Sequence, residues 1–357
     1  MLLKTWLQDE DNRKHFEYLR EVWNVIGGPV LSEEQEVKVW TDFKAYMCRS
    51  RRKQIIYKCS RYVAVIMILF VIPLFFLWIR GDEKEVYPQK EIPIMPGRFQ
   101  AILTVPGGEV IELLQTETKQ IEVGKHGKAT NGKEGLVYES LSGSSQVEYN
   151  QVHTPFGGEY AVALADGTKV YMNSGSTLKF PVVFNDTIRE VYLSGEAYFE
   201  VQEDSTRVFQ VKTDAMVLKV YGTKFNINTF ESTKTVLLSG RVGVKGNDDE
   251  EYILSPSQLI EYDKDGNFMQ LCEVDTRAYL AWKEGYFFFD NENLAHVFAA
   301  LGRWYNVEFE YSKVDVKNMH FTGHIKKYEN ISIILDAIQK IVHVRFNIDG
   351  RKIEVIK

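Results

Sequence analysis

The sequence predicts a mixed, mainly β protein. A short helical N-terminal segment and one membrane-spanning helix precede a long β-rich part and a terminal α+β module. Three observations carry this prediction. Residues 62–79 contain no charged residue, residues 98–245 alternate apolar and polar positions between glycine-rich turns, and residues 284–357 mix alternation with helical spacing. At 357 residues the chain has room for about two or three domains. Its 45% hydrophobic and 26% charged residues exclude a mainly disordered protein. A formal net charge of -6 speaks against direct nucleic-acid binding. Three cysteines, Cys48, Cys59 and Cys272, cannot form a disulfide framework.

The N-terminal segment is residues 1–61. Trp6, Phe16, Leu19, Val22, Trp23 and Ile26 fall mostly three and four apart, which predicts an amphipathic helix over 2–26. Gly27-Gly28-Pro29 ends it. Ser32-Glu33-Glu34-Gln35 is a capping-box signature, and Val37, Trp40, Phe43 and Met47 continue as a second apolar stripe. Two short helices bury little area and are marginal alone. Either they pack on each other, or the stripe docks onto a partner protein.

Residues 62–79, YVAVIMILFVIPLFFLWI, follow. As a helix at ~1.5 Å per residue they span about 27 Å, close to the ~30 Å hydrocarbon core of a bilayer. Pro73 is tolerated in such a helix, and Tyr62 and Trp78 stand where aromatic belts lie. The stretch is too deep in the chain for a signal peptide, and GDEKEV rather than a cleavage site follows it. Arg49, Arg51, Arg52, Lys53, Lys58 and Arg61 precede the span with no acid among them, whereas the far flank mixes both signs. The N-terminal side is therefore expected to be cytoplasmic, and the basic run reads as a topology signal in contact with anionic lipid rather than a nucleic-acid patch. Residues 1–61 hold 12 Lys+Arg against 9 Asp+Glu, and the remaining residues 31 against 40.

Beyond the span, residues 80–149 read as a linker with β hairpins and residues 150–270 as a β domain. Runs such as 100–105, 169–173, 197–202 and 216–221 alternate, and Pro106-Gly107-Gly108, Asp166-Gly167, Asn173-Ser174-Gly175 and Ser194-Gly195 mark turns. This spacing predicts a sandwich or a solenoid-like stack. LTVPGGEVIEL (103–113) aligns with VALADGTKVYM (162–172), which predicts two similar hairpins rather than a repeat array. Residues 284–357 read as a module of order β-α-β-β-α-β-β. Its helical stripes are Leu294, Val297, Phe298, Leu301, Trp304 and then Ile331, Ile334, Leu335, Ile338, Ile341, and Asp349-Gly350 closes a hairpin.

Catalytic chemistry is sparse. His320 and His324, about 13 Å apart on an extended strand, are too far apart for one metal. Asp263-Lys264-Asp265-Gly266-Asn267 lacks the glycine position and closing Glu of a calcium loop and reads as a hairpin turn. No nucleophile elbow, phosphate loop or zinc spacing appears. No metal, cofactor or catalytic residue is expected.

Five strings occur in a fixed order: TPFGGEYAVALADGTKVYMNSGSTLKFP (154–181), LSGEAYFEV (193–201), FQVKT (209–213), VYGTKFNINTF (220–230) and LLSGRVGV (237–244). They resemble the FecR-type (ferric-citrate regulator) anti-sigma factors. LSPSQLIEYDKDG (254–266) is similar to the segment that closes that domain. FDNENLAHVFAALGRWYNVEFEY (289–311) is similar to the C-terminal module of Bacteroidetes-type members, itself related to the short signalling domain of secretins and TonB-dependent receptors.

The resemblance implies a single-pass inner-membrane anti-sigma factor, N-terminus cytoplasmic and C-terminus periplasmic. It would hold an extracytoplasmic-function (ECF) sigma factor and relay a signal from a TonB-dependent receptor's signalling domain. Trp6, Phe16, Leu19 and Trp23 would form the sigma-facing or helix-pairing stripe. WLQDEDNRKHFEYLREVW (6–23) resembles only the second half of the usual cytoplasmic segment, so a late start or a reduced sigma-binding element is expected. Some members cut themselves at a Gly-Thr bond, which corresponds here to Gly222-Thr223. A tight turn with a hydrogen-bonded threonine is the alternative at that position. Apart from that single turnover, no enzyme activity is expected. The other reading of the whole chain is a membrane-anchored periplasmic structural or glycan-binding protein without a sigma partner.

Overall fold

Alternating side chains and left-handed glycines shape the chain from Arg98 onward. The computed structural model describes residues 93–357 apart from 116–117, 125–126, 140–146, 185–186, 248–249 and 313, together with residues 7, 8, 10, 13, 14, 16 and 17. The expected membrane span 62–79, its basic flank and the second N-terminal stripe lie outside these residues, as do Trp6, Leu19 and Trp23. Among the described residues no helix is long and apolar enough to cross a membrane. Glu10, Arg13, Lys14, Phe16 and Glu17 are helical. The four charged residues are exposed and Phe16 is partly buried.

Among the described residues, the β-rich part pairs nineteen strands in two runs of neighbours. The first run is β2 (Val110–Leu114), β1 (Arg98–Thr104), β6 (Tyr149–His153), β9 (Thr177–Pro181), β10 (Ile188–Ser194), β12 (Val208–Lys212), β13 (Val217–Val220), β16 (Val242–Lys245) and β17 (Glu251–Leu254). The second is β3 (Lys119–Glu122), β4 (Lys128–Gly132), β5 (Gly135–Tyr138), β7 (Gly158–Ala163), β8 (Lys169–Met172), β11 (Glu196–Glu200), β14 (Lys224–Asn228), β15 (Thr233–Ser239), β18 (Gln258–Tyr262) and β19 (Phe268–Glu273). From β7 onward the chain passes between the runs every one or two strands. Leu103, Val152, Leu178, Val191 and Phe209 of the first run share one core with Val162, Val170, Phe199, Phe225 and Ile260 of the second. The rings of Phe199 and Phe209 meet across it at 6.3 Å. A shared core between two layers makes this a sandwich.

Residues 98–149, read from sequence as linker and hairpins, contribute β1 to β5 and the first residue of β6 to the same two runs. β1 pairs with β6 and β7, and β5 runs parallel to β7. Gly135 lets β5 approach that closely: its φ is +110°, and a Cβ there would stand 2.1 Å from the Ala161 carbonyl oxygen. The two similar hairpins are β1–β2 in one run and β7–β8 in the other. Their turns are closed alike, Gly108 N to Val105 O at 3.0 Å and Gly167 N to Leu164 O at 2.9 Å, with both glycines at positive φ.

The terminal module comprises α1 (Thr276–Leu280), β20 (Tyr286–Asn293), α2 (Leu294–Tyr305), β21 (Glu308–Glu310), a 3-10 turn (Val316–Asn318), β22 (His320–Lys326), α3 (Ile331–Val342), β23 (Arg345–Asp349) and β24 (Lys352–Ile356). Asn293 and Asn330 cap α2 and α3 through their side-chain oxygens. Leu294, Val297, Phe298, Leu301 and Trp304 are buried, as are Ile331, Ile334, Leu335 and Ile338, in a core separate from that of the sandwich. Ile341 departs from the expected stripe and is 45% exposed. The apolar face continues four residues after Ile338, at Val342, which packs on this core.

Candidate interaction site where the sandwich meets the terminal module

The module rests on one face of the sandwich, and most of the sandwich residues it touches lie in the five strings above. Gly157 N donates to Arg303 O at 2.7 Å. Gly97 has no side chain because Trp304 fills the space: a Cβ would lie 2.6 Å from its ring. Trp282 Nε1 donates to Asn226 Oδ1 at 3.2 Å, and Asn226 and Asn173 donate to the two oxygens of the buried Glu196 at 3.1 and 2.7 Å. Lys283 Nζ reaches Glu200 at 3.2 Å and lies over Tyr171 and Tyr198 at 4.2 and 4.5 Å. Arg303 stacks on Phe230 at 3.9 Å. His296 bonds Glu231 through Nε2 and Glu292 through Nδ1.

Lys327 is the most deeply placed of these groups. It is buried, yet Nζ donates to Glu159 Oε2 at 2.7 Å and to the Trp282 carbonyl at 3.3 Å, and it lies 3.9 Å from the centre of the Trp304 ring. Its own carbonyl accepts from Trp304 Nε1 at 2.6 Å and Tyr305 OH at 3.1 Å. Burial lowers the Lys327 pKa while the Glu159 carboxylate opposes that shift. Burial likewise lowers that of Arg303, against the pull of Glu196 and Glu231. Tyr328 also bonds Glu159; burial first, and then that carboxylate, push its phenol upward.

Gly222, Thr223 and Asp263, singled out from sequence, are not among these contacts. Thr223, buried between β13 and β14, donates from Oγ1 to the Arg241 carbonyl at 3.1 Å, and its own carbonyl accepts from Val201 N at 3.0 Å. Gly222 is not in the left-handed region. Glu203 crowds it instead, since a Cβ at 222 would lie 2.9 Å from Glu203 Cβ. That contact brings an acid beside the Gly222-Thr223 bond. Asp263 Oδ1 accepts from the backbone of Asp265 and Asn267 at 2.9 and 2.8 Å and shapes the β18–β19 hairpin. Among the described residues no three His, Cys, Asp or Glu side chains are placed to share a metal ion. Sequence reasoning passed over Glu159, Glu196, Trp282 and Lys327. Lys327 follows Lys326 in a polar turn, and nothing local distinguishes the buried lysine from the exposed one.

Comparison with known proteins agrees with this division. Residues 150–243 match the family model described as FecR protein, and residues 286–355 the one described as FecR, C-terminal. Two crystal structures of a proposed anti-sigma factor from Parabacteroides distasonis ATCC 8503, at 2.50 and 1.65 Å, each share 26% identity with the chain at a TM-score of 0.54. The alignments cover 58% of this chain and 99% and 98% of theirs. No curated protein gives a match. With one family model on the sandwich and the other on the module, in that order along the chain, the protein belongs to the FecR-type anti-sigma factor family.

Proposed function

We propose that the protein is a single-pass inner-membrane anti-sigma factor. Its N-terminal helices hold an ECF sigma factor in the cytoplasm, and its periplasmic part answers the signalling domain of a TonB-dependent receptor. The observation that carries this reading is the presence, on one chain, of both FecR domains and the uncharged stretch 62–79 with its basic N-terminal flank. That charge asymmetry leaves 1–61 for a cytoplasmic partner and 80–357 for a periplasmic one. Trp6, Phe16, Leu19 and Trp23 form the proposed sigma-facing stripe. Co-purification with the sigma factor from detergent-solubilised membranes tests the reading. Burying each large apolar side chain is worth about 1.5–3 kcal/mol, so Phe16→Asp with Trp23→Asp should abolish capture. Full capture by this pair would reject the stripe, and no capture by the parent would reject the function. Removal of 285–357 should abolish the response to receptor ligand while capture persists; an unchanged response would rule out the module as the receiver.

Self-cleavage at Gly222-Thr223 belongs to the same proposal. Thr223 Oγ1 would leave the Arg241 carbonyl and attack the Gly222 carbonyl carbon. The C–N bond breaks, the freed amine takes up the proton, and water hydrolyses the resulting ester. Glu203, whose side-chain carbons pack beside Gly222, would be the group to accept the hydroxyl proton. Fragments of 222 and 135 residues on a denaturing gel, absent in Thr223→Ala, are the expected result. A single full-length band in both proteins would dismiss it.

A further inference from the structure

The contacts between sandwich and module are segregated by charge. The module supplies Lys283, Arg303 and Lys327; the sandwich supplies Glu159, Glu196, Glu200 and Glu231, the last also bonded by His296. Removing Lys327 and Glu159 from water costs about as much as their attraction returns. The pair therefore selects one seating of the module more than it strengthens it. When the two halves part, both charges regain their hydration, a return that an apolar seam would lack. The module keeps its own core, distinct from that of the sandwich, so it can leave as a folded body. The segment leading into β1 runs beneath it: Ile94 packs on the module core and Gly97 on Trp304.

We propose that this seam is a reversible latch. The module detaches, folded, from the acidic face of the sandwich, with Lys327 as its pin. Detachment frees residues 94–97, through which the N-terminal part of the chain reaches the sandwich. Opposite charges draw the halves back together, so screening should favour the open state. The latch does not depend on which partner is bound at the N-terminus.

Amide hydrogen exchange on the full chain in detergent micelles tests it. The Gly157 amide, whose bond to Arg303 O crosses the seam, is the reporter. The Leu301 and Phe199 amides report the two cores. Raising NaCl from about 0.1 M to about 1 M, where the Debye length falls to about 3 Å, should speed Gly157 exchange and leave both cores protected. Lys327→Met should speed it about tenfold or more, because Glu159 is left without its cation, again without core exposure. Two results would overturn the latch. One is Gly157 exchange that stays unchanged in salt, a test that needs no variant. The other is Gly157 losing protection only together with Leu301, which would make the seam part of a single cooperative fold.

Discussion

Replacing Arg189 with Met should destabilise the sandwich by about 3–5 kcal/mol, the usual cost of removing one partner of a buried ion pair. Arg189 is fully buried on β10 and reaches three residues that lie 13 to 23 positions from it in sequence. Nη1 pairs with Asp166 Oδ2 at 2.8 Å and donates to Gln202 O at 2.9 Å, and Nη2 donates to Arg207 O at 2.9 Å. The guanidinium lies 5.4 Å from the centre of the Phe209 ring. Asp166 in turn holds the β7–β8 turn through Thr168 N and Oγ1 at 3.0 and 2.8 Å. Methionine fills much of the volume but leaves the Asp166 carboxylate without its cation and removes the guanidinium donors to two carbonyls. Urea denaturation of the two proteins measures the loss. A change below about 1 kcal/mol, the level of an exposed pair, would mean that water reaches Asp166. Asp166→Leu combined with Arg189→Met should recover part of the loss, since no charge is then stranded.

Trp304→Ala should cost about 3–5 kcal/mol, as large aromatic truncations in cores do, and the loss should fall on the module. Trp304 is 1% exposed at the end of α2. It carries the Lys327 ammonium on its ring, meets Tyr328 edge-on at 5.5 Å and backs onto Gly97. Truncation removes ring, indole donor and cation platform together. Near-UV circular dichroism with hydrogen exchange separates the parts. The α2 amides should lose protection while Phe199 and Phe225 in the sandwich keep theirs. Equal loss in both cores would show that the two halves unfold as one.

The local rules were readable in the chain. Leu294, Val297, Phe298, Leu301 and Trp304 follow helical spacing because those positions face one side of α2. Gly167, Gly175 and Gly195 mark turns because their φ values of +88°, +78° and +101° exclude most side chains. β3 and β4 were harder to see. KQIE and KATNG carry little alternation, and they form strands because each has a paired neighbour. The interaction site was half legible. The five strings located the sandwich face, but Glu159 and Lys327 lie 168 positions apart.

The sequence by itself determined a mainly β chain with a helical-spaced terminal module, the places of its turns, an uncharged stretch long enough for a bilayer, and a family likeness carried by five ordered strings. These rest on periodicity, backbone sterics and composition, which act within a few residues. The tertiary structure alone decided that residues 98–149 belong to the sandwich, that the two similar hairpins join different runs, and that Lys327 is buried while Lys326 is exposed. A strand's partner and a charge's surroundings depend on residues tens to hundreds of positions away. They are settled only when closing those loops is offset by a shared core.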